Sequence, residues 1–184
     1  PALQVISRAA NGRPGNDASG PASLSADGRL VAFTSTASDL ARQDYNLQED
    51  VFVLDRQTRT LECLSAAANG TTGNGRSMFS QMSRDGRYVV FQSSATNLIA
   101  GDTNDRDDVF LVDRQTHTTS RISLGPGGFQ SSRDSHSPGM SGDGRYVAFE
   151  SLAENFTAGD TNGTWDIFLR DTIGGTLDCL SRAS

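Results

Sequence analysis

Short apolar runs separated by turn-forming dipeptides make up most of this chain. In its middle, residues 88–91 and 109–112 are two such runs, rich in β-branched and aromatic residues, and Asp85-Gly86 precedes the first as a tight-turn signal. Neither run alternates between apolar and polar residues, so we expect strands that are covered on both faces. Repeated Asp-Gly and Asn-Gly dipeptides interrupt any helical period. The pattern therefore predicts an all-β protein.

The same succession of runs occurs three times with a constant step of 58 residues, which Asp27, Asp85 and Asp143 illustrate. A fixed period of this kind indicates a solenoid, a propeller or an array. In the second copy we predict four strands, at about 79–83, 86–93, 108–112 and 120–123. Repeated four-stranded antiparallel sheets are the blades of a β-propeller. The sequence predicts an all-β fold, a propeller segment of three four-stranded antiparallel blades.

The repetition runs through the chain without a break, which predicts a single domain over residues 1–184. Blade 1 is expected at about 8–65, blade 2 at about 66–123 and blade 3 at about 124–181. Residues 3–7 align with the fourth strand of each blade, so we expect them to form a spare strand. Six repeated phenylalanines are expected to lie buried between neighbouring sheets. They are Phe33, Phe52, Phe91, Phe110, Phe149 and Phe168.

Composition narrows the function classes. The net charge is −6, which argues against nucleic acid as a partner, because nucleic acids are bound by basic surfaces. No apolar run is long enough to span a membrane. Cys63 and Cys179 occupy the same position two repeats apart, so their Cα atoms should be too distant for a disulfide. We expect both to be free thiols.

The third repeat carries Ser141-Gly-Asp-Gly-Arg-Tyr-Val-Ala-Phe-Glu-Ser151 followed by Asp166-Ile-Phe-Leu169. This combination resembles the propeller repeat of the TolB and WD40-like (PD40) family, and the Ala-Gly-Asp-Thr-Asn inserts at 100–104 and 158–162 resemble a bacterial branch of it. The resemblance implies a propeller, often six-bladed, in periplasmic or secreted proteins that bind partners. It does not imply an enzyme. Three blades cannot close a ring, so we predict either a homodimer that completes six blades or a fragment of a longer propeller.

An acidic loop repeats between the second and third predicted strands, with the pattern Asp-x-Asn-x-x-x-Asp. Carboxylate, amide and backbone oxygens are the ligands that Ca²⁺ prefers, so the loops are candidate calcium sites. The pattern is not that of an EF-hand, and the alternative is that these side chains only hold turns together. The copy at residues 102–108 is the strongest candidate and that at 44–50 the weakest. The nine candidate ligands are Asp44, Asn46, Asp50, Asp102, Asn104, Asp108, Asp160, Asn162 and Asp166.

Little in the sequence points to catalysis. His117 and His136 fall at unrelated repeat positions, and no Gly-x-Ser-x-Gly motif is present. We therefore predict a binding or scaffold module with no catalytic residues, whose partner is a protein or a carbohydrate. The alternatives are a lectin-like module, in which Trp165 stacks on a sugar or packs on its own loop, and the propeller part of a larger hydrolase.

Overall fold

The computed structural model describes residues 4–41 and 44–181. Within them the chain forms twelve strands in three four-stranded antiparallel sheets. The strands are β1 (Ser19–Leu24), β2 (Leu30–Ser35), β3 (Asp50–Asp55), β4 (Thr60–Cys63), β5 (Ser77–Met82), β6 (Tyr88–Ser93), β7 (Asp108–Asp113), β8 (Thr118–Arg121), β9 (Ser135–Met140), β10 (Tyr146–Ser151), β11 (Asp166–Asp171) and β12 (Leu177–Cys179). Blade 1 is β1–β4, blade 2 is β5–β8 and blade 3 is β9–β12, and the strands follow chain order across each sheet.

The predicted fold class is confirmed, and only strand boundaries differ. In blade 2, β5 begins two residues earlier than predicted, β6 begins at Tyr88, and β8 ends at Arg121. The first two strands of every blade share a shift in pairing register, which lies between Met78 and Gln81 in blade 2. Residues 4–7 lie in no strand and Leu3 lies outside the described residues, so the expected spare strand is not seen in the described part.

The turn between the first two strands is built the same way in every blade. In blade 2, Ser83 Oγ donates to Asp85 Oδ1 at 2.6 Å, and Asp85 Oδ1 also accepts the N–H of Arg87 at 3.0 Å. Gly86 supplies the positive φ of 74° that the turn requires. Arg87 Nη2 then reaches across to Asp113 Oδ2 at 2.6 Å and ties the second strand to the end of the third. The Asp-Gly signal is thus a structural turn.

The blades pack face to face. Each blade has a phenylalanine face, which carries Phe91 and Phe110 in blade 2, and an aliphatic face, which carries Val51 and Val53 in blade 1. The phenylalanine face of blade 2 packs against the aliphatic face of blade 1, and the same contact joins blade 3 to blade 2. All six repeated phenylalanines are buried. Those of blades 2 and 3 lie between neighbouring sheets, as predicted, whereas Phe33 and Phe52 lie on the end face of blade 1.

The two end faces have no neighbouring blade in this chain. On the aliphatic face of blade 3, Ile167 is 41% exposed, whereas the equivalent Val51 and Val109 are 0% exposed. Beside the phenylalanine face of blade 1 lies a groove of about 920 Å³, which residues of the 4–12 segment line together with Leu54 and Leu61. Both ends of the three-blade stack therefore leave part of a blade-to-blade surface uncovered.

Cys63 and Cys179 are free, as their spacing predicts. Among the described residues, no helix is both long and apolar enough to cross a membrane.

Candidate functional site: the acidic loops

The acidic loops connect the second and third strands of each blade and lie at one edge of the stack. The aspartate that opens each third strand is anchored by a serine just after the fourth strand. In blade 1, Ser65 Oγ donates to Asp50 Oδ1 at 2.6 Å and accepts the N–H of Val51 at 2.9 Å. Ser123 binds Asp108 and Ser181 binds Asp166 in the same way. One carboxylate oxygen of each aspartate is thus structural, and Oδ2 is left to face the loop.

The loop asparagines connect neighbouring blades. Asn46 Nδ2 donates to the carbonyl of Gly73 at 2.5 Å, and Asn104 Nδ2 donates to the carbonyl of Ser131 at 3.2 Å. Both acceptors belong to the segment that leads into the next blade. In blade 3, Asn162 Nδ2 donates to Asp166 Oδ2 at 3.3 Å, a contact that Asn104 also makes with Asp108 Oδ2 at 3.0 Å in blade 2. The turn-holding alternative therefore describes part of what these loops do.

An arginine lies in the loop of blade 2, between the carboxylates that the sequence ranks as the strongest metal candidates. Arg121 Nη1 lies 2.9 Å from Asp102 Oδ1 and 2.9 Å from Asp108 Oδ2. The same nitrogen lies 3.1 Å from Gln130 Oε1. All three charged side chains are buried, so this is an internal ion pair that balances one of the two negative charges.

The two further aspartates of this loop do not join the cluster. Asp107 Oδ2 accepts from Gln92 Nε2 at 2.9 Å and lies 3.1 Å from His136 Nε2 in blade 3. Asp105 is exposed and has a positive φ of 54°. The extra acidic residues that favoured this copy therefore point elsewhere, and the guanidinium takes the place expected for a cation.

In blade 1 the equivalent two carboxylates have no arginine partner among the residues that the structure describes. Asp44 is 8% exposed and both of its carboxylate oxygens lack a hydrogen bond, as does Oδ2 of the fully buried Asp50. Burial raises the pKa of Asp44, although the nearby backbone N–H groups of Asn46 and Leu47 act to lower it. Burial, with the nearby charge of Asp44, raises the pKa of Asp50 to about 7. Three of the four oxygens of this pair thus have no hydrogen-bond partner among the described residues.

In blade 3 the corresponding place is a pocket of about 360 Å³, lined by Asp160, Asn162, Asp166, Cys179 and Ser181. Asp166 is buried and Asp160 is partly exposed. The pocket is polar and opens to solvent beside the last strand. In blade 2 the corresponding place holds the Arg121 side chain.

One repeat position accounts for the difference among the three blades. Cys63, Arg121 and Cys179 are separated by the 58-residue step, so cysteine stands in blades 1 and 3 where blade 2 has the arginine. Burial, followed by the charge of Asp50, raises the pKa of the partly buried Cys63 thiol to about 12, so it carries no charge at neutral pH. Sequence reasoning considered the cysteines only as a disulfide pair. Comparing the three copies at this position was the signal that could have identified Arg121.

The histidines and the tryptophan form a separate feature. His136 stacks on Trp165 with ring centroids 4.7 Å apart and bonds to Asp107, and Trp165 is 42% exposed. His117 is exposed and lies 3.9 Å from Glu62. Among the hydrogen bonds of the described residues, neither histidine is paired with a serine or cysteine.

No family model matches the chain, and no curated protein matches it either. Several solved structures, however, are similar to the chain. TolB from Acinetobacter baumannii aligns at 18% identity and a TM-score of 0.52, over 94% of this chain and 34% of that one. A putative TolB from Agrobacterium tumefaciens aligns at 21% identity and a TM-score of 0.55, over 87% of this chain and 49% of that one.

The β-propeller domain of the Trilobed protease from Pyrococcus furiosus aligns at 11% identity and a TM-score of 0.56, over 88% of this chain and 41% of that one. The chain thus spans less than half the length of each of these three structures. At such identities the likeness concerns the fold alone. The chain is a section of β-propeller, with three blades similar in fold to those of TolB and of a protease propeller.

Proposed function

We propose that this protein is a non-catalytic propeller module, exported to the periplasm or the exterior of the cell, that binds a protein partner and completes a six-bladed ring with a second copy. The observation that carries the proposal is the exposed end face of blade 3. Ile167 is 41% exposed there, whereas its equivalents in the other two blades are buried beneath the next blade. Leu180 is 56% exposed as well, whereas its equivalents Leu64 and Ile122 are buried, and we take this uncovered apolar surface as an interface.

Charge at the two ends supports a second copy as the occupant. Between blades 1 and 2, Glu62 Oε2 accepts from Arg114 Nη2 at 3.0 Å. Arg56 of blade 1 lies one repeat before Arg114, and Asp178 of blade 3 lies two repeats after Glu62. Neither forms a salt bridge among the described residues. If blade 3 of one copy packs on blade 1 of another, these two residues meet as Glu62 and Arg114 do.

The groove beside blade 1 gives room for that contact. Its walls include Leu54, Leu61 and Arg56 on the blade and residues of the 4–12 segment opposite them. Residues 4–7 lie in no strand, so they can move aside without breaking a sheet ladder. In the assembled ring, β12 of one copy would take their place.

Light scattering at low micromolar concentration tests this assembly. We expect a mass of twice the 19.6 kDa of the chain. Ile167→Asp places a charge in the interface and should shift the mass to that of the monomer, while Ile173→Asp, at an exposed turn residue, should leave the dimer intact. A monomeric wild-type chain would contradict ring completion by a second copy and favour a section of a longer propeller.

The non-catalytic assignment is supported by the histidines. His136 is engaged by Asp107 and Trp165, and His117 is exposed beside Glu62. A general base needs hydrogen-bond reach to the group that it activates. Assays with ester, peptide and glycoside substrates are expected to give no turnover, and turnover lost in His136→Ala would contradict the assignment.

A lectin-like function is the second candidate, because Trp165 presents a partly exposed indole held in place by His136. Aromatic faces of this kind can stack on sugars. A glycan array compares the two candidates. Binding that Trp165→Ala abolishes would favour the carbohydrate-binding function, and the absence of any glycan signal would favour a protein partner.

A further inference from the structure

We infer that blades 1 and 3 each bind a calcium ion between the two aspartates of their acidic loops, at the position that the Arg121 guanidinium fills in blade 2. The inference concerns a ligand of the loops and does not depend on the proposed ring. It retains the candidate ligands of blades 1 and 3 and excludes those of blade 2.

Blade 2 shows that the two loop carboxylates converge on one point. A single nitrogen, Arg121 Nη1, lies 2.9 Å from an oxygen of Asp102 and 2.9 Å from an oxygen of Asp108. The repeat places Asp44 and Asp50 in blade 1, and Asp160 and Asp166 in blade 3, at the same two positions. The repeat therefore places a pair of aspartates at this point three times, and among the described residues only blade 2 supplies a cation of its own there.

Within residues 4–41 and 44–181, no basic side chain pairs with the two aspartates of the blade 1 loop. Asp44 and Asp50 are more than nine-tenths buried, and three of their four carboxylate oxygens have no hydrogen-bond partner. The fourth, Asp50 Oδ1, accepts from Ser65. Buried carboxylates are ordinarily paired, hydrogen-bonded or bound to a metal, because an isolated buried charge is strongly disfavoured. These oxygens are thus positioned for a cation from solvent.

Blade 3 has space and access at the same place. Where the arginine would lie, a pocket of about 360 Å³ brings together Asp160, Asn162 and Asp166 beside Cys179. The pocket opens to solvent, so a hydrated ion can enter and keep some of its waters. The two blades that lack arginine therefore share the same acidic pair at a vacant guanidinium position.

The donor set selects calcium over a softer metal. Within residues 4–41 and 44–181, no three His, Cys, Asp or Glu side chains form a group that could hold a metal by themselves. Zinc sites are built from such side chains. Ca²⁺ instead takes six to eight oxygens and accepts amide and backbone carbonyls and water beside its carboxylates. Asn46 and Asn162 lie in these loops, two residues after the first aspartate.

The test counts calcium ions bound to the metal-stripped chain by equilibrium dialysis. We expect two ions per wild-type chain. Cys63→Arg supplies the missing guanidinium in blade 1 and should reduce the count to one, and the double variant Cys63→Arg/Cys179→Arg should bind none. Arg121→Cys should raise the count to three. Asp143→Asn, in the exposed hairpin turn of blade 3, is the matched control and should keep two.

Two further variants test the sites in case the arginine introduced at Cys63 or Cys179 does not fit. Asp44→Asn and Asp160→Asn keep side-chain shape and should each remove one ion, with circular dichroism confirming the fold. Wild-type chain that binds no calcium at millimolar concentration would overturn the inference. So would two ions retained in the double arginine variant. Zinc binding that replaces calcium and is lost in Cys63→Ser would overturn the oxygen-ligand assignment.

Discussion

Arg121 Nη1 lies 2.9 Å from Asp108 Oδ2, and both side chains are almost completely buried. A second carboxylate, Asp102, lies at the same distance from the same nitrogen. Burial is the dominant influence on Asp108 and raises its pKa, while Arg121 opposes that shift. The arginine therefore stabilises a pair of charges that the fold places inside the protein.

Removing this arginine is expected to destabilise blade 2. Arg121→Ala leaves two buried carboxylates without a cation, and breaking a buried ion pair from one side costs about 3–5 kcal/mol. Urea denaturation should show this loss in calcium-free buffer. Arg133→Ala is the control, because the Arg133–Glu154 pair is exposed and such pairs contribute about 0–1 kcal/mol. Equal effects of the two substitutions would contradict the role assigned to Arg121.

The phenylalanine faces are expected to carry much of the stability. Phe110 is 0% exposed and stacks on Phe91 with ring centroids 6.1 Å apart. Phe110→Ala should lower the free energy of unfolding by about 3–5 kcal/mol, because it leaves a cavity between blades 1 and 2. Phe129→Ala, at a residue that is 69% exposed, should change it by less than about 0.5 kcal/mol. A small effect of Phe110→Ala would mean that this face is not packed as described.

Gly86 and Gly28 occupy the same turn position but differ in their neighbours. Both have positive φ, so alanine is strained at either position by about 1–2 kcal/mol. A Cβ at Gly86 would also lie 2.3 Å from Leu30 Cδ1 of blade 1, whereas a Cβ at Gly28 would approach only Arg56 Nη1, at 3.8 Å. We expect Gly86→Ala to lower the melting temperature more than Gly28→Ala. Equal shifts would argue against this close contact between blades.

Acid stability should depend on the three repeated pairs that close each blade, Arg29–Asp55, Arg87–Asp113 and Arg145–Asp171. In each, the hydrogen bond from the guanidinium is the main cause that holds the pKa of the aspartate well below its usual range. A carboxyl whose pKa is lowered by folding stabilises the folded state above its unfolded pKa of about 4. That contribution is lost as the pH falls through the lower folded pKa.

Arg87→Gln removes one of these pairs and provides the test. The difference in melting temperature between wild type and Arg87→Gln should be constant from pH 7 to about 5 and should shrink as the pH falls toward 2. Arg106→Gln, which removes an arginine outside these pairs, should show no such change with pH. If the difference in melting temperature between wild type and Arg87→Gln stayed constant down to pH 2, the Arg87–Asp113 ion pair would not be its cause.

If a second copy completes the ring, the charges of the proposed contact between Arg56 and Asp178 can be exchanged by substitution. Arg56→Asp and Asp178→Arg should each place like charges opposite one another and shift the chain toward the monomer. The double variant Arg56→Asp/Asp178→Arg restores opposite charges at both contacts and should recover the dimer. Light scattering measures the mass of the two single variants and of the double variant. A double variant that remains monomeric while folded would contradict the proposed pairing.

The sequence by itself determined the repeat, the strand succession and the core. The step of 58 residues, the Asp-Gly turns and the six phenylalanines each follow from local rules: turn chemistry, β propensity and two-sided burial. Strand ends could not be predicted to the residue because a ladder can extend by a residue or two when the neighbouring strand offers partners, as it does at Ser77 and Met78.

Only the tertiary structure decided which acidic loop holds a cation of its own. Asp108 and Arg121 are 13 residues apart, and the strand return from β7 to β8 brings them together in a buried site. Counting acidic residues favoured blade 2, but Asp107 faces the next blade, and a guanidinium already lies between Asp102 and Asp108. Charge compensation depends on distances and burial across strands, which no local pattern records.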